Sequence, residues 1–285
     1  SNAKLFGMLP NFFEVPVADR SVTVAEGQTL SLGSHMLQFF MAPMVHWPEV
    51  MVTYEQSEKI LFSADAFGKF GTLDTDEDWA CEARRYYFNI VGKYGMPAQA
   101  LLKKAAGLDI QKICALHGPI LTENLEYYIG KYQLWSTYTP EDEGIFIAYC
   151  SLHGNTEKAA KKLAEILEAK GAPKVAISDL SRDDMAECIE DAFRYDRLVL
   201  AAPTYDGGVM PVMADFINHL KMKAYQKRKV AFIENGSWAP MAAKLMKEQM
   251  SAMKDIEIVD EHVTIRSAFK QSDVAALEAL AGKLL

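Results

Sequence analysis

The stretch Gly144-Ile-Phe-Ile-Ala-Tyr-Cys-Ser-Leu-His-Gly-Asn-Thr156 decides the fold of this chain. Its apolar run, Ile145–Tyr149, reads as a buried strand, and the small and polar residues after it read as a loop. An amphipathic helix follows at once: Ala159, Ala160, Leu163, Ile166 and Leu167 share a face, and Gly171 stands where a C-terminal cap belongs. A loop of Ser151, Leu152, His153, Gly154, Asn155 and Thr156 at a helix N-terminus offers backbone N–H groups, hydroxyls and the positive end of the helix dipole to a dianion.

The same alternation continues outward. Strand patterns at Ile145–Tyr149, Val175–Ser178, Leu198–Ala201, Val230–Glu234 and Ile256–Val263 are each followed by a helix-period segment. This predicts an α/β fold with a parallel sheet covered on both faces, and a ligand beyond the carboxyl ends of its strands. Two further strand ends carry suitable loops, Pro203-Thr-Tyr-Asp-Gly-Gly208 and Asn235-Gly-Ser-Trp-Ala239. The phosphate loop lacks both the Gly-x-x-x-x-Gly-Lys of a nucleotide P-loop and the Gly-x-Gly-x-x-Gly of a dinucleotide site, so the phosphate expected is that of FMN. A flavin ring needs backbone donors and acceptors along its pyrimidine edge and flat walls on its faces. Tyr205 and Trp238 are the candidate walls. Either alone reads as core or surface filler; their positions after strands three and four favour the wall. The candidate flavin-binding set is therefore Ser151, Leu152, His153, Gly154, Asn155, Thr156, Pro203, Thr204, Tyr205, Asp206, Gly207, Asn235, Gly236, Ser237 and Trp238.

On these three loops the segment 144–285 resembles a flavodoxin-like FMN-binding domain, which implies a doubly wound five-stranded parallel sheet in the order 2-1-3-4-5. One departure is the phosphate loop, Ser151-Leu-His-Gly-Asn-Thr156 in place of the usual Thr-x-Thr-Gly-x-Thr. His153 fits either the dimethylbenzene edge of the flavin or a solvent-facing position.

Bulk composition limits the alternatives. The chain has 285 residues, half of them apolar, enough for two cores of ordinary size. The net charge of −8 is spread evenly, with 11 basic and 15 acidic residues up to Pro140 and 19 and 23 beyond it, so neither half has the basic excess of a nucleic-acid or membrane binder. No apolar run approaches the ~18 residues of a spanning helix and no signal peptide is visible, so a soluble, cytoplasmic protein is expected. Cys81, Cys114, Cys150 and Cys188 form no Cys-x-x-Cys pair, which argues for reduced thiols and against a disulfide framework, a zinc knuckle or a rubredoxin-type iron site.

The first half has another texture. Strand patterns lie at Thr29–Leu32, Met36–Phe40, Met51–Tyr54 and Lys59–Phe62, followed by a long helix from about Glu77 to Tyr94. The segments Ala42-Pro-Met-Val-His-Trp-Pro48, Phe62-Ser-Ala-Asp-Ala-Phe-Gly68 and Ile113-Cys-Ala-Leu-His-Gly-Pro119 each place one metal-type ligand, His46, Asp65 or His117, just after an apolar strand. Two imidazoles and a carboxylate able to bridge suit a binuclear centre with metals ~3.5–4 Å apart. On chemistry alone His46 also reads as a turn histidine, and Asp65 as a turn or N-cap residue. His35, His219 and His262 have no such context and read as structural or exposed. Tyr86, Tyr87 and Trp47 are candidates to line the pocket, with core packing as the alternative for the tyrosine pair.

Together the three segments and the flavodoxin-like half resemble flavodiiron proteins, also called A-type flavoproteins, in which a metallo-β-lactamase-like domain holding two irons precedes an FMN domain. The resemblance implies that His46 ligates one iron, that His117 ligates the other and that Asp65 bridges them. It also implies a rubredoxin or similar electron donor, reduction of dioxygen to water or of nitric oxide to nitrous oxide, and a head-to-tail homodimer that brings the FMN of one subunit near the irons of the other.

One family feature has no counterpart. The remaining iron ligands come from a His-x-Glu-x-Asp-His run, and no His-x-Glu or Asp-His pair occurs here. Ser1-Asn2-Ala3 is of the kind left by removal of an expression tag, and Lys4 rather than Met follows. The expectation is a C-terminal portion of a flavodiiron protein: residues 1–3 a tag remnant, 4–140 a partial metallo-β-lactamase-like domain with an incomplete iron site, and 144–285 the FMN domain. A half-domain of that fold would expose an apolar sheet face carrying Leu37, Phe39, Met51 and Leu61 or their neighbours, and a homodimer would cover it. The alternative is a flavodoxin-like electron carrier without metal chemistry. A zinc hydrolase of the metallo-β-lactamase fold has no use for a flavin domain.

Overall fold

A computed structural model describes residues 1–14, 16, 18–74 and 78–285, which divide into two units, Ser1–Thr137 and Tyr138–Leu285. In the first unit, α1 (Ala3–Met8) is capped by Asn2, whose Oδ1 accepts from the Leu5 amide at 3.1 Å. There follow β1 (Thr29–Ser31), β2 (Met36–Met41), β3 (Met51–Glu55), β4 (Ile60–Phe62), α2 (Trp79–Tyr86), α3 (Gly95–Ala105), β5 (Lys112–Cys114), β6 (Ile120–Leu121) and α4 (Leu125–Ser136). The strands form one sheet in chain order, antiparallel except where β4 meets β5. The start of the expected long helix, Glu77, lies outside the described residues. Asp78 caps α2, the chain passes into a π-helical turn over Tyr87–Val91, and Gly92 at φ 48° ends it before Tyr94.

Register sorts the apolar residues of this sheet. Phe39 lies opposite Thr53, Thr53 opposite Phe62, Phe62 opposite Cys114 and Cys114 opposite Ile120, so these share one face. Leu37 and Met51 belong to it as well. The expectation that Leu61 does too is corrected: it is one position out of phase, which places it on the other face with the buried Val52, Tyr54, Ile113 and Leu121. Phe39 is itself buried, and the open apolar part of its face is carried by Phe62 and Ile120, 46% and 64% exposed.

The second unit is built on β7 (Asp142–Tyr149), whose last six residues are all buried, the continuous apolar run of a strand covered on both faces. Then come α5 (Asn155–Ala169), β8 (Val175–Asp179), α6 (Met185–Arg194), β9 (Tyr195–Tyr205), β10 (Gly208–Val209), α7 (Pro211–Met222), β11 (Arg228–Asn235), α8 (Ala242–Ser251), β12 (Ile256–Ile258), β13 (Val263–Ile265) and α9 (Val274–Leu284). The parallel path runs β8-β7-β9-β11-β12, which is the doubly wound order 2-1-3-4-5. The fifth strand is not the single run Ile256–Val263. It is two pieces, β12 beside Arg228–Val230 and β13 beside Ile233–Asn235. Ile145, Ile147, Val199, Ala201, Ala231 and Ile233 join one core with Ala160, Leu163 and Leu167 of α5 and Leu277, Leu280 and Leu284 of α9. α6 and α8 also pack against the sheet, α6 on β7 and β9 and α8 on β9 and β11. All four cysteines are free thiols, and burial pushes those of Cys150 and Cys188 up to about 12. Among the described residues no helix is long and apolar enough to cross a membrane.

Candidate functional site

The carboxyl ends of β7, β9, β11 and β13 surround an open cleft of about 660 Å³ in the second unit. Its walls carry Ser151, Leu152, His153, Asn155, Thr156, Pro203, Thr204, Asp206, Gly207, Asn235, Gly236, Ser237 and Trp238. Thirteen of the fifteen candidate flavin residues thus converge on one space. Gly154 is not on the wall; at φ 75° it is the N-cap of α5, a left-handed position that suits glycine. Tyr205 is not on the wall either. It pairs with Gly208 across a two-residue turn, Asp206-Gly207, with both φ values positive, and its side chain is half-exposed beside the cleft. Ala239, Ser267 and Ala268 line the cleft without having been expected. Ser267 and Ala268 follow β13, so the rule that ligands lie beyond strand carboxyl ends would have found them once the fifth strand was correctly divided.

Two observations test the cleft against FMN. The Oγ of Ser151 is buried and has no hydrogen-bond partner among the described residues. The N-terminus of the fifteen-residue α5 has no side-chain cap, so its first N–H groups are left for a ligand. An acceptor-rich phosphate satisfies both, with no lysine or arginine on the wall. Trp238, 90% exposed, presents a broad apolar ring at the rim, and Asn235 Nδ2 donates to the Ser267 carbonyl at 3.0 Å to hold the base of its loop. The cleft fits the group.

In the first unit, Asp65 is buried between the two histidines. His46 Nε2 lies 3.8 Å from Asp65 Oδ2 and His117 Nε2 lies 3.8 Å from Oδ1, one imidazole to each carboxylate oxygen. The loops that carry them are locked together. The His46 amide donates to Asp65 Oδ2 at 3.4 Å, the Leu116 amide to the Ala64 carbonyl at 2.8 Å, and the Ser63 hydroxyl to the Ala66 carbonyl at 2.7 Å. A Cβ on Gly68 would stand 3.0 Å from the Asp65 carbonyl and 3.1 Å from that of His117, so the two loops abut only because residue 68 is glycine. Met44, Ala64 and Phe67 take positive φ without being glycine, backbone strain of about 1–3 kcal/mol each in the loops that carry His46 and Asp65.

Tyr86 donates to Asp65 Oδ1 at 3.1 Å. Burial first, and then the Asp65 charge, raise its pKa, so it stays a phenol and a donor at neutral pH. Tyr87 instead packs in the core against Tyr132 and Trp135, while Trp47 meets His46 edge-on at 6.1 Å. This donor set suits a carboxylate that bridges two metals with one imidazole on each side. Two irons want about four to six donors each, and these three residues fall short of that.

Residues 146–278 match the flavodoxin domain family, and residues 4–118 match the ODP family of beta lactamases. An uncharacterized protein of Methanocaldococcus jannaschii is 29% identical over 88% of this chain and 65% of its own length. A nitric oxide reductase of Moorella thermoacetica is 31% identical over 84% of this chain and 61% of its own. The chain therefore spans less than two thirds of either relative. Rubredoxin oxygen:oxidoreductase of Desulfovibrio gigas has the same fold, with a TM-score of 0.87 and 23% identity over 99% of this chain and 71% of that one.

Proposed function

Because the chain belongs to the flavodiiron protein family, we propose that it serves FMN-dependent electron transfer in an oxidoreductase that reduces dioxygen to water, nitric oxide to nitrous oxide, or both. The observation that carries this reading is the convergence of three strand-end loops on a cleft with an uncapped helix N-terminus and an orphaned serine hydroxyl. When bound, FMN supplies the ability to take up electrons one or two at a time. The amides of residues 151–156 and the Ser151 hydroxyl would hold its phosphate, the Asn235–Trp238 loop would offer backbone groups to its ring, and Trp238 would screen it from water.

A complete iron pair would supply two Lewis-acidic centres for a diatomic oxidant. In this chain Asp65 would bridge such a pair with His46 and His117 as its imidazole ligands, and Tyr86 donates a hydrogen bond to the Asp65 carboxylate. A small redox protein such as rubredoxin is the donor we propose, as the name of the Desulfovibrio gigas protein suggests. A homodimer would cover Phe62 and Ile120.

A visible spectrum together with elemental analysis of the chain incubated with FMN and ferrous iron tests the proposal. The expected outcome is one flavin and fewer than two irons per chain. A chain that takes up zinc or iron but no flavin would overturn it.

A further inference from the structure

We propose that Glu234 is the clasp of the cleft's tryptophan loop, a positioning residue that sets Asn235–Trp238 for the flavin; this rests on the FMN reading above. Glu234 is the penultimate residue of β11 and only 4% exposed, yet its carboxylate takes no part in the sheet ladder. Oε2 accepts from the Ala243 amide at 3.0 Å and Oε1 from the Thr264 hydroxyl at 2.9 Å, with His262 Nε2 3.4 Å from Oε1.

Those partners define what the carboxylate does. α8 starts at Ala242, and its N-cap residue Met241 makes no side-chain bond, so the first amides of the helix need acceptors from elsewhere. Thr204 Oγ1 takes the amides of Met241 and Ala242 at 2.8 and 3.1 Å, and Glu234 takes that of Ala243. The loop 235–241 leaves the sheet at Glu234 and enters the helix beside Ala243, so one carboxylate ties its two ends together. Its middle is tied to the segment after β13: the Gly236 amide donates to the Ile265 carbonyl at 3.1 Å and the Ser237 and Ser267 hydroxyls are 2.7 Å apart. Glu234 reaches the same segment through Thr264.

A serine or aspartate at position 241 would cap α8 without burying an acid. A buried carboxylate has a desolvation penalty to offset, and its three partners meet only at this junction. Trp238, by contrast, is almost wholly exposed, so its position depends on the backbone of the loop that Glu234 closes. Holding the loop before the ligand arrives removes conformational freedom that binding would otherwise have to freeze.

The test is FMN titration of the intact chain, read by quenching of flavin fluorescence, in wild type, Glu234→Ala, Glu234→Gln, Thr264→Val, Trp238→Ala and the doubles with Trp238→Ala. Glu234→Gln keeps an oxygen for the Ala243 amide and an amide for the Thr264 hydroxyl, and is expected to bind FMN within about threefold of wild type. Glu234→Ala is expected to bind at least about tenfold more weakly, and Thr264→Val severalfold. In the Trp238→Ala background both losses shrink, because the clasp acts through the loop that presents the ring. Losses that add in full, Glu234→Ala binding like wild type, or Glu234→Gln as weak as Glu234→Ala would each overturn the clasp. If Glu234→Ala does not fold, Thr264→Val and its double decide the question by the same criterion. Absence of FMN binding by the wild type would overturn the flavin reading itself.

Discussion

Trp238 has most of its ring in water at the rim of the cleft, where it offers a flat apolar face to a ligand ring. Replacing it with alanine is expected to weaken FMN by about three- to tenfold, the worth of one aromatic stacking contact, and to shift the visible flavin spectrum. Unchanged affinity and spectrum in an equilibrium titration would rule out the stacking role. That the loops of Ser151 and Trp238 line one cleft was legible because their residues are consecutive and follow strand ends. Tyr205 stands at the start of the Asp206-Gly207 turn, whose positive φ values belong to the hairpin and not to the strand pattern that precedes it. Glu234 and His262 carried no signal at all. Their pairing spans β11 and the connection into β13, and sequence spacing says nothing about which buried acid meets which histidine.

The turn between β3 and β4 shows how one side chain can hold an element. Glu55 accepts from the amides of Glu58 and Ser57 at 2.6 and 3.0 Å, with His35 also close by. The Glu58 amide contributes most to lowering its pKa from 4.5 to about 2. Because the folded value is depressed, the stabilisation is fully present above pH 4.5 and is lost as pH falls toward about 2. Glu55→Gln is therefore expected to lower the urea midpoint at pH 7, with the gap from wild type narrowing between pH 4.5 and 2. A gap independent of pH over that window would contradict the assignment. Element type was readable from periodicity along the second unit, whereas α1, α3 and α4 of the first unit, and strand phase and continuity, were not. The side of the sheet on which Leu61 lies depends on pairing register, and the division of the fifth strand arises because β11, eight residues long, outruns either piece that pairs with it.

For the whole molecule, two candidate sites with unequal means of holding their ligands lie in one chain. The proposed flavin cleft would draw its phosphate donors from a single loop and helix, while the proposed metal position would have a carboxylate with one imidazole at each of its oxygens. Asp65→Ala is expected to abolish what iron binding the chain shows while leaving FMN affinity unchanged, measured by elemental analysis and titration of the same samples. Normal iron in that variant would refute the ligand assignment. The two-part architecture could be read from the change in texture near residue 140. The packing of Asp65 against the His117 loop through Gly68 could not, because it depends on backbone atoms meeting at 3.0–3.1 Å.

The central claim is that the loop 151–156 at the head of α5 is a phosphate site for FMN. Parallel equilibrium titrations of the chain with FMN and with riboflavin test it most directly, since the two ligands differ only by the phosphate. FMN is expected to bind at least about tenfold more tightly, a difference of about 1.4 kcal/mol, with Ser151→Ala narrowing the gap. Equal affinity for the two ligands, or no flavin binding, would contradict the account.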